Sequence, residues 1–368
     1  MTQKMEKILV VGLGKVGSLV ARLLHNNGFK VTGMDAVKND TLPFTTIAGD
    51  VKNLRELSKT MADFDAVVSC LPFSLNLGVA ETAYETGLHY FDLTEDVPTT
   101  KAILKMSETS KGVMAPQCGL APGFIGIVGS DLTKQFDKLR SIELRVGALP
   151  QHPRGKLGYA FNWSPEGVVN EYLNDCEAIQ DSAIKMVPPL EGLETIVIDG
   201  LELEAFTTSG GLGTMCETYQ GKVEKLNYKT MRYPGHCDLM RFFFKELHMN
   251  KHREEAGDIL VNAKPPVNDD VVYVHAAVEG WMGDSLQRKE FVRAYYPEEI
   301  DGETYRAISW TTAAGICAVI EMVSNGSLPS KGFIKQEDVP FDKFLETKTG
   351  EMYAMYEDCD FLMDEEAA

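Results

Sequence analysis

The 368-residue chain is 44% hydrophobic and 24% charged, and it contains no low-complexity tract. This composition is typical of a folded globular protein and excludes a disordered or fibrous one. The formal net charge of -18 would repel a nucleic-acid backbone, and Lys and Arg form no cluster that could bind one, so we expect no nucleic-acid partner. The length exceeds what one hydrophobic core usually serves, which predicts two domains.

Cysteine and histidine usage indicates neither disulfides nor a metal site. The 7 cysteines lack CxxC spacing, and the 7 histidines lack the spacing of metal ligands. A reduced, cytoplasmic compartment fits this usage best. The N-terminus shows no signal-peptide core, and no apolar run approaches the roughly 18 residues that span a bilayer. We therefore expect a soluble protein without a membrane partner.

Strands and helices alternate over the first third of the chain. An apolar run at 7–11 predicts a strand buried on both faces of a parallel sheet, followed by a glycine turn and a helix at 16–27. Further strands are predicted at 30–34, 45–48, 65–70, 89–92 and 112–114, and further helices at 53–61, 75–85 and 97–110. This alternation predicts an α/β fold, a Rossmann doubly wound parallel sheet, which we assign to residues 1–120.

The pattern changes after residue 120. Segments rich in β-formers at 141–146, 194–206, 270–278 and 289–296 predict a second, α+β domain with a mixed or antiparallel sheet over residues 121–305. Within the second of these segments, Asp199-Gly200 has the composition of a tight hairpin turn. An apolar helix is predicted at 311–323, and we expect the C-terminal segment 306–368 to return to the Rossmann domain.

The glycine turn GLGKVG follows a predicted strand and opens a helix, which is the context that gives a dinucleotide fingerprint its meaning. Gly12 allows the tight turn, Gly14 lets the backbone approach the pyrophosphate, and Gly17 lets the helix pack on the strand. Lys15 and Val16 belong to the helix N-terminus that would face the phosphates.

Asp35 ends the second predicted strand, where a carboxylate accepts hydrogen bonds from the adenosine ribose hydroxyls. Its charge would repel a 2'-phosphate, which favours NAD over NADP, although nearby Lys38 softens the repulsion and keeps NADP possible. Further cofactor contacts are predicted at the carboxyl ends of the third and fourth strands: Asp50, Val51, Cys70, Leu71 and Pro72. For Val51 and Leu71, plain core packing is an equal alternative.

Several segments of the chain resemble the saccharopine dehydrogenase family, in its saccharopine reductase and lysine 6-dehydrogenase branch. They are GLGKVG, GLAPGF at 119–124, VGALP at 146–150, LGYAFNWSPEG at 157–167, RYPGH at 232–236 and TAAGICAVIEM in the late helix. The resemblance implies an NAD(P)-dependent oxidoreductase that oxidises the C–N bond at the lysine ε-carbon and releases 2-aminoadipate 6-semialdehyde. It also implies a small amino-acid substrate and a second domain that serves both substrate binding and dimerisation, hence a homodimer.

The same resemblance implies which residues line the substrate. Asn162 and Ser164 would bind the α-amino or carboxylate group, and Trp163 would pack the aliphatic chain, with a core aromatic as the alternative. Arg232, which opens the RYPGH segment, would supply positive charge for a carboxylate.

Oxidation of an amine requires a residue that takes a proton near neutral pH. His236 and His152 are the first candidates for this base, and Tyr159 is the weaker one. Spacing alone does not decide among them.

Two departures from the family pattern bear on the substrate. Saccharopine reductases have an acid at the position of Ala121 and an Arg in the segment matching 207–211, and this chain has neither. Because saccharopine carries more carboxylates than lysine, the loss of a carboxylate clamp favours lysine, with saccharopine and an L-glutamate-forming reaction as the alternative. Arg154, Lys156 or a backbone turn at 209–211 could still supply the missing positive charge. A different alternative is a non-catalytic nucleotide-sensing protein.

Overall fold

The structure, a computed structural model, describes residues 5–356 and the backbone of a strand at 361–363. It divides into two compact units. The first unit comprises residues 5–127 and Ser309–Met355, and the second comprises Val128–Ile308 together with Tyr356 and the strand at 361–363.

Both units are built from strands and helices. The strands, in chain order, are β1 Lys7–Val11, β2 Lys30–Asp35, β3 Thr45–Ala48, β4 Ala66–Ser69, β5 His89–Asp92, β6 Val113–Ala115, β7 Lys138–Pro150, β8 Cys176–Gln180, β9 Ala183–Val187, β10 Glu194–Ile198, β11 Leu201–Thr207, β12 Lys225–Arg232, β13 Asp270–Met282, β14 Ser285–Tyr295, β15 Glu298–Ile300, β16 Glu303–Tyr305, β17 Gly332–Phe333 and β18 Phe361–Met363. The α-helices are α1 Lys15–Asn26, α2 Leu54–Met61, α3 Phe73–Thr86, α4 Val97–Ser107, α5 Phe124–Thr133, α6 Pro165–Leu173, α7 Met215–Tyr219, α8 His236–Arg241, α9 Arg253–Ala263, α10 Ala307–Asn325, α11 Phe341–Leu345 and α12 Glu351–Ala354. A π-helical turn at Phe242–Glu246 and short 3-10 turns at Met249–Lys251 and Gln336–Asp338 complete the set.

The sheet of the first unit is parallel and follows the order β17-β6-β5-β4-β1-β2-β3. Residues 8–11 of β1 are buried, as expected for a strand covered on both faces. The strand order reverses between β1 and β4, and open α/β sheets bind ligands beyond the carboxyl ends of the strands at such a point. The predicted Rossmann doubly wound sheet is therefore confirmed.

The sheet of the second unit is mixed, with the order β14-β13-β7-β12-β11-β10-β18 and with β8 and β9 attached beside β12. β12 pairs with β7 in parallel, whereas β7 with β13, β13 with β14 and β11 with β12 pair antiparallel. The predicted hairpin joins β10 to β11, and its turn residues Asp199 and Gly200 have φ of 50° and 76°. Positive φ at both positions is the type I′ geometry that matches strand twist. The predicted α+β class of this unit is confirmed.

The C-terminal segment divides between the two units instead of returning whole to the Rossmann sheet. β17 extends that sheet beside β6, and Tyr353 stacks on Phe124 with ring centroids 4.0 Å apart, which holds Ser309–Met355 in the first unit. The strand at 361–363 pairs with β10 of the second sheet. The same stacking places Phe124 in the first unit, so this unit extends beyond the expected boundary at residue 120.

Helix α10 is longer than the apolar helix predicted at 311–323. Its 19 residues satisfy the length and hydropathy of a membrane-crossing helix, and 78% of that window is buried inside the protein. A β-carbon at Gly315 would lie 3.0 Å from the carbonyl oxygen of Gly119, so the helix packs closely against backbone. Such burial is typical of a core helix.

The first turn of α10 depends on a buried carboxylate. Asp270, fully buried at the start of β13, accepts hydrogen bonds from the backbone N–H of Ala307 at 2.7 Å and of Ile308 at 3.1 Å. The first N–H groups of an α-helix are not preceded by a turn that could supply their acceptors, so the carboxylate serves as an acceptor there and complements the helix dipole.

We predict that Asp270→Ala lowers the free energy of unfolding by about 2 kcal/mol, because it leaves buried donors unsatisfied. Urea denaturation followed by circular dichroism measures the change. Asp269→Ala, which removes an exposed carboxylate one residue earlier, is the matched control and should change stability by less than about 0.5 kcal/mol. Equal effects of the two variants would contradict the assignment.

Candidate functional site

The three glycines of the GLGKVG turn meet three different surroundings. Gly12 has φ of 86°, and a β-carbon there would lie 2.9 Å from the carbonyl oxygen of Cys70. A β-carbon at Gly17 would lie 1.8 Å from the carbonyl oxygen of Gly12, an overlap that cannot be relieved by moving a side chain. A β-carbon at Gly14 would meet nothing within 4 Å. Packing within the protein therefore explains why positions 12 and 17 require glycine. Gly14 instead borders open space, where the absence of a side chain lets a ligand come close to the protein backbone.

Helix α1 begins on this open side. Gly14 is its N-cap, no side chain caps the first turn, and no acidic residue lies in that turn. Gly14 and Lys15 are exposed and Val16 is half-buried. An uncapped helix N-terminus presents free N–H groups and the positive end of the helix dipole, which suits a pyrophosphate.

Asp35 braces the glycine turn as well as ending β2. One carboxylate oxygen accepts a hydrogen bond from the N–H of Leu13 at 2.6 Å and the other from the N–H of Ala36 at 2.6 Å. Lys38 forms an exposed ion pair with Asp40 at 2.6 Å. The carboxylate thus sits beside the turn as predicted, and it also has a structural role that the sequence did not reveal.

The residues after β4 lie directly against the same turn. A β-carbon at Gly17 would be 2.9 Å from Cβ of Cys70, and one at Gly12 would be 2.9 Å from Cδ2 of Leu71. Burial, with a smaller contribution from the nearby Asp92, raises the pKa of the Cys70 thiol to about 12. Cys70 therefore stays a neutral thiol at physiological pH.

The other predicted cofactor residues have local structural contacts. Pro72 precedes the first turn of α3. Asp50 is exposed after β3 and accepts a hydrogen bond from the N–H of Lys52 at 2.9 Å. Val51 and Leu71 are half-buried and pack against the core of the first unit, so the core-packing alternative accounts for part of their surface.

A buried carboxylate at the end of β5 escaped the sequence analysis. Asp92 accepts hydrogen bonds from the Tyr90 hydroxyl at 2.7 Å and from the N–H groups of Thr94 and Gln117 at 2.9 and 3.0 Å. Burial raises the pKa of Asp92 to about 6, although these hydrogen bonds oppose the rise. The sequence did contain a signal for Asp92, because this acid ends the predicted strand HYFD just as Asp35 ends β2.

In the second unit, a buried polar cluster forms around the guanidinium of Arg232. This side chain is 3% exposed, and its Nε donates to the Tyr172 hydroxyl at 2.9 Å while Nη1 donates to the carbonyl of Met231 at 2.8 Å. The guanidinium carbon lies 4.5 Å from the ring centre of Tyr159. His236 completes the cluster, with Nε2 2.9 Å from the Tyr172 hydroxyl. The structure therefore brings together three of the predicted residues and adds Tyr172, which the sequence did not single out.

The cluster rules against His236 as the catalytic base, which corrects that prediction. The imidazole is fully buried, and its Nδ1 lies 2.9 Å from the Leu157 carbonyl while Nε2 faces Tyr172. Burial first, and then the positive charge of Arg232, lower the pKa of His236 to about 3. Both ring nitrogens are engaged and the neutral form is strongly favoured, so the ring does not take up a proton near neutral pH.

The remaining catalytic candidates lie in contrasting surroundings. Tyr159 is buried, and its hydroxyl accepts a hydrogen bond from Trp163 Nε1 at 3.3 Å. Burial is the main reason that the pKa of Tyr159 is raised, so the phenol stays protonated. His152 is exposed in the loop after β7. Of the two candidate histidines, His152 is therefore the one that is accessible to solvent.

The polar side chains of the predicted substrate-lining segment form hydrogen bonds within the protein. The side-chain oxygen of Asn162 accepts a hydrogen bond from the N–H of Val267 at 2.8 Å. Ser164 is the N-cap of α6 and accepts from the N–H of Gly167 at 3.1 Å. Trp163 is half-buried and packs against the core of the second unit. A long-range contact therefore engages Asn162 and helix capping engages Ser164, while the half-buried Trp163 packs on the core and keeps part of its surface exposed.

Family models match both units. Residues 8–115 match the model described as saccharopine dehydrogenase NADP binding domain, and residues 119–352 match the model described as saccharopine dehydrogenase C-terminal domain. The chain belongs to the saccharopine dehydrogenase family. This confirms the resemblance seen in the sequence, makes the first unit a nicotinamide-dinucleotide-binding domain, and places the chain in a family of oxidoreductases.

Individual relatives in this family are distant. Mitochondrial alpha-aminoadipic semialdehyde synthase of Mus musculus is 24% identical over 262 residues, which are 65% of this chain and 28% of that protein. Saccharopine dehydrogenase (NADP(+), L-glutamate-forming) of Saccharomyces cerevisiae is 25% identical over 147 residues, 38% of this chain and 33% of that protein. The chain therefore spans about a third or less of the length of these relatives.

A solved structure shows the same fold over the whole length. The apo saccharopine dehydrogenase (L-Glu forming) from Saccharomyces cerevisiae has a TM-score of 0.76 at 15% identity, covering 97% of this chain and 100% of that chain. At this identity the likeness establishes the fold and leaves the chemistry to be argued from the residues.

The surroundings of Gly14 and Gly17 predict opposite phenotypes. Gly17→Ala should lower the thermal unfolding temperature markedly, because its β-carbon would overlap the Gly12 carbonyl oxygen. Gly14→Ala should change the free energy of unfolding by less than about 1 kcal/mol, yet weaken NADH binding at least roughly tenfold, because its methyl group would occupy the space of the pyrophosphate. Differential scanning fluorimetry and fluorescence titration with NADH measure the two effects. Unchanged NADH affinity in Gly14→Ala would show that the open space is not the nucleotide site.

Proposed function

We propose that the protein is an NAD-dependent dehydrogenase that oxidises the C–N bond at the ε-carbon of lysine and releases 2-aminoadipate 6-semialdehyde and ammonia. The observation that carries the proposal is the buried guanidinium of Arg232 at the end of β12. Its hydrogen bonds to Tyr172, Thr230 and Met231 all go to uncharged groups, and the charge of the buried Glu171 carboxylate nearby helps to raise its pKa. A buried cation held this way favours one anionic ligand group, and lysine offers one carboxylate.

The segment that would hold a second carboxylate is occupied by structural contacts. The Thr207 hydroxyl donates to the carbonyl of Pro188 at 2.8 Å, and the N–H of Ser209 donates to the carbonyl of Glu171 at 3.1 Å. A β-carbon at Gly211 would lie 2.4 Å from the ring of Tyr228. The backbone turn considered as an anion site is therefore partly used within the fold, which supports lysine over saccharopine.

The proposed division of labour follows from these contacts. The bound nicotinamide dinucleotide would accept the hydride from the ε-carbon. The first unit would hold it through the N-terminus of α1 and Asp35, and Arg232 would bind the substrate carboxylate. Trp163, half-buried beside Tyr159, would pack the aliphatic chain of the substrate. Solvent-exposed His152 is the candidate that can exchange a proton with water.

Turnover distinguishes the candidate functions. With NAD present, we predict that lysine is oxidised with a kcat/KM at least about tenfold above that for saccharopine, measured by the absorbance of the reduced cofactor. A preference for saccharopine with release of glutamate would establish the alternative reaction. Nucleotide binding without turnover of either amino acid would contradict both reactions and support a nucleotide-sensing protein. Arg232→Met should abolish saturation by the amino acid while leaving NADH affinity unchanged.

The carboxylate of Asp35 predicts a preference for NAD although the matching family model is described as NADP binding. Asp35→Asn keeps an acceptor for the N–H of Leu13 and removes the charge that would repel a 2'-phosphate. The ratio of kcat/KM for NADP to that for NAD should rise at least about fivefold, since at least ~1 kcal/mol of repulsion between charges about 4 Å apart is removed. Asp63→Asn, which neutralises an exposed acid near the amino end of β4, should leave the ratio unchanged. An unchanged ratio in Asp35→Asn would remove the basis for the NAD preference.

A further inference from the structure

The arrangement around Arg232 contains a chain of hydrogen bonds whose direction is set by chemistry. The Leu157 carbonyl can only accept, so Nδ1 of His236, 2.9 Å away, must donate to it. In the neutral ring, Nε2 is then an acceptor, and the Tyr172 hydroxyl, 2.9 Å away, must donate to it. The hydroxyl oxygen is thereby left to accept from Nε of Arg232, also 2.9 Å away. Each donor and acceptor has one role, so the tautomer of His236 fixes the orientation of the Tyr172 hydroxyl.

Packing holds the same groups in place. The His236 ring lies 5.3 Å from the Tyr159 ring in an edge-on arrangement and 6.2 Å from the Phe206 ring in a stacked one. Tyr159 also supports the guanidinium of Arg232 on its face. Neither the imidazole nor the guanidinium can rotate without losing these contacts, because all four side chains are buried.

The bonds inside the protein decide which edge of Arg232 remains for a ligand. Nε is bound to Tyr172, and the hydrogens of Nη1 are directed to Thr230 Oγ1 and the Met231 carbonyl. These bonds do not involve Nη2, so Nη2 is the guanidinium nitrogen that a substrate carboxylate can engage, beside the buried Glu171, whose charge also stabilises the guanidinium. A slight rotation of the guanidinium about its stem would change the position of Nη2 while keeping its charge.

We propose that Tyr172 and His236 are positioning residues that orient Nη2 of Arg232 toward the α-carboxylate of the amino-acid substrate. The inference rests on the proposed function and extends it to residues that need not touch substrate or cofactor. It gives the buried, neutral His236 a role other than proton transfer. It also predicts that the pair contributes to recognition of the carboxylate and not to the chemistry at the ε-carbon, which is at the far end of the lysine side chain.

A substrate without a carboxylate separates this role from a general structural one. Lysine and 1,5-diaminopentane share the reacting aminomethylene group, and only lysine has the α-carboxylate. In Tyr172→Phe, the ratio of kcat/KM for lysine to that for 1,5-diaminopentane should fall about tenfold, through KM for lysine, with kcat for lysine nearly unchanged. A merely structural loss would lower both substrates together and leave the ratio unchanged, which would overturn the proposal.

Substitutions at His236 provide a graded test. The glutamine of His236→Gln has a side-chain oxygen that can accept a hydrogen bond from the Tyr172 hydroxyl, whereas the leucine of His236→Leu has no acceptor. The ratio of kcat/KM for lysine to that for 1,5-diaminopentane should therefore stay near the wild-type value in His236→Gln and fall in His236→Leu. Tyr233→Phe is the matched control, because Tyr233 directly follows Arg232 in the sequence and its hydroxyl donates to the Pro150 carbonyl at 2.8 Å, outside this chain of hydrogen bonds. Equal ratios in the Gln and Leu variants would also overturn the proposal. Failure of the proposed function would show differently, as absence of lysine turnover in the wild-type holoenzyme, and would remove the inference with it.

Discussion

The backbone contact between position 17 and the carbonyl oxygen of Gly12 constrains the whole first unit. A β-carbon at position 17 would lie 1.8 Å from the Gly12 carbonyl oxygen, so only glycine allows α1 to follow β1 at this angle. With the helix placed this way, its N-terminus opens beside the reversal of strand order between β1 and β4. Asp35 then ties the end of β2 to the turn through the N–H of Leu13. The predicted phosphate and ribose contacts would thus both depend on one close backbone approach.

The second unit depends on a different constraint, which is the burial of a permanent cation. Burial opposes the charge of Arg232, and the neighbouring Tyr172, Tyr159 and Glu171 outweigh this and raise its pKa. The same charge helps to keep His236 neutral. Burying a cation costs free energy unless hydrogen bonds and opposite charge compensate for the lost water. The tyrosines and the histidine around Arg232 therefore act together as one polar cluster.

Family membership and residue chemistry contribute at different levels. The match to both family models establishes an oxidoreductase family with a nicotinamide-dinucleotide-binding domain, while the relatives that share it are at most about a quarter identical. The substrate argument therefore comes from this chain's own residues: Arg232, whose hydrogen bonds go to uncharged groups, and a 207–211 segment in which the Thr207 hydroxyl and the N–H of Ser209 already bond within the fold.

By itself, the sequence determined the strands and helices over residues 7–115 and the glycine turn, because those signals are local, whereas it did not predict β8, β9 or β12 of the second unit. Apolar runs, the spacing of Gly12, Gly14 and Gly17, and the Asp199-Gly200 turn each act within a few residues, and the structure confirms them. Only the tertiary structure decided the state of His236, whose partner Tyr172 is 64 residues away and whose neutrality comes from burial. It likewise decided that the side-chain oxygen of Asn162 accepts from the N–H of Val267, a hydrogen bond that spans 105 residues of the sequence. Protonation and hydrogen-bond partners depend on which distant segments exclude water together, and residue spacing along the chain does not encode that.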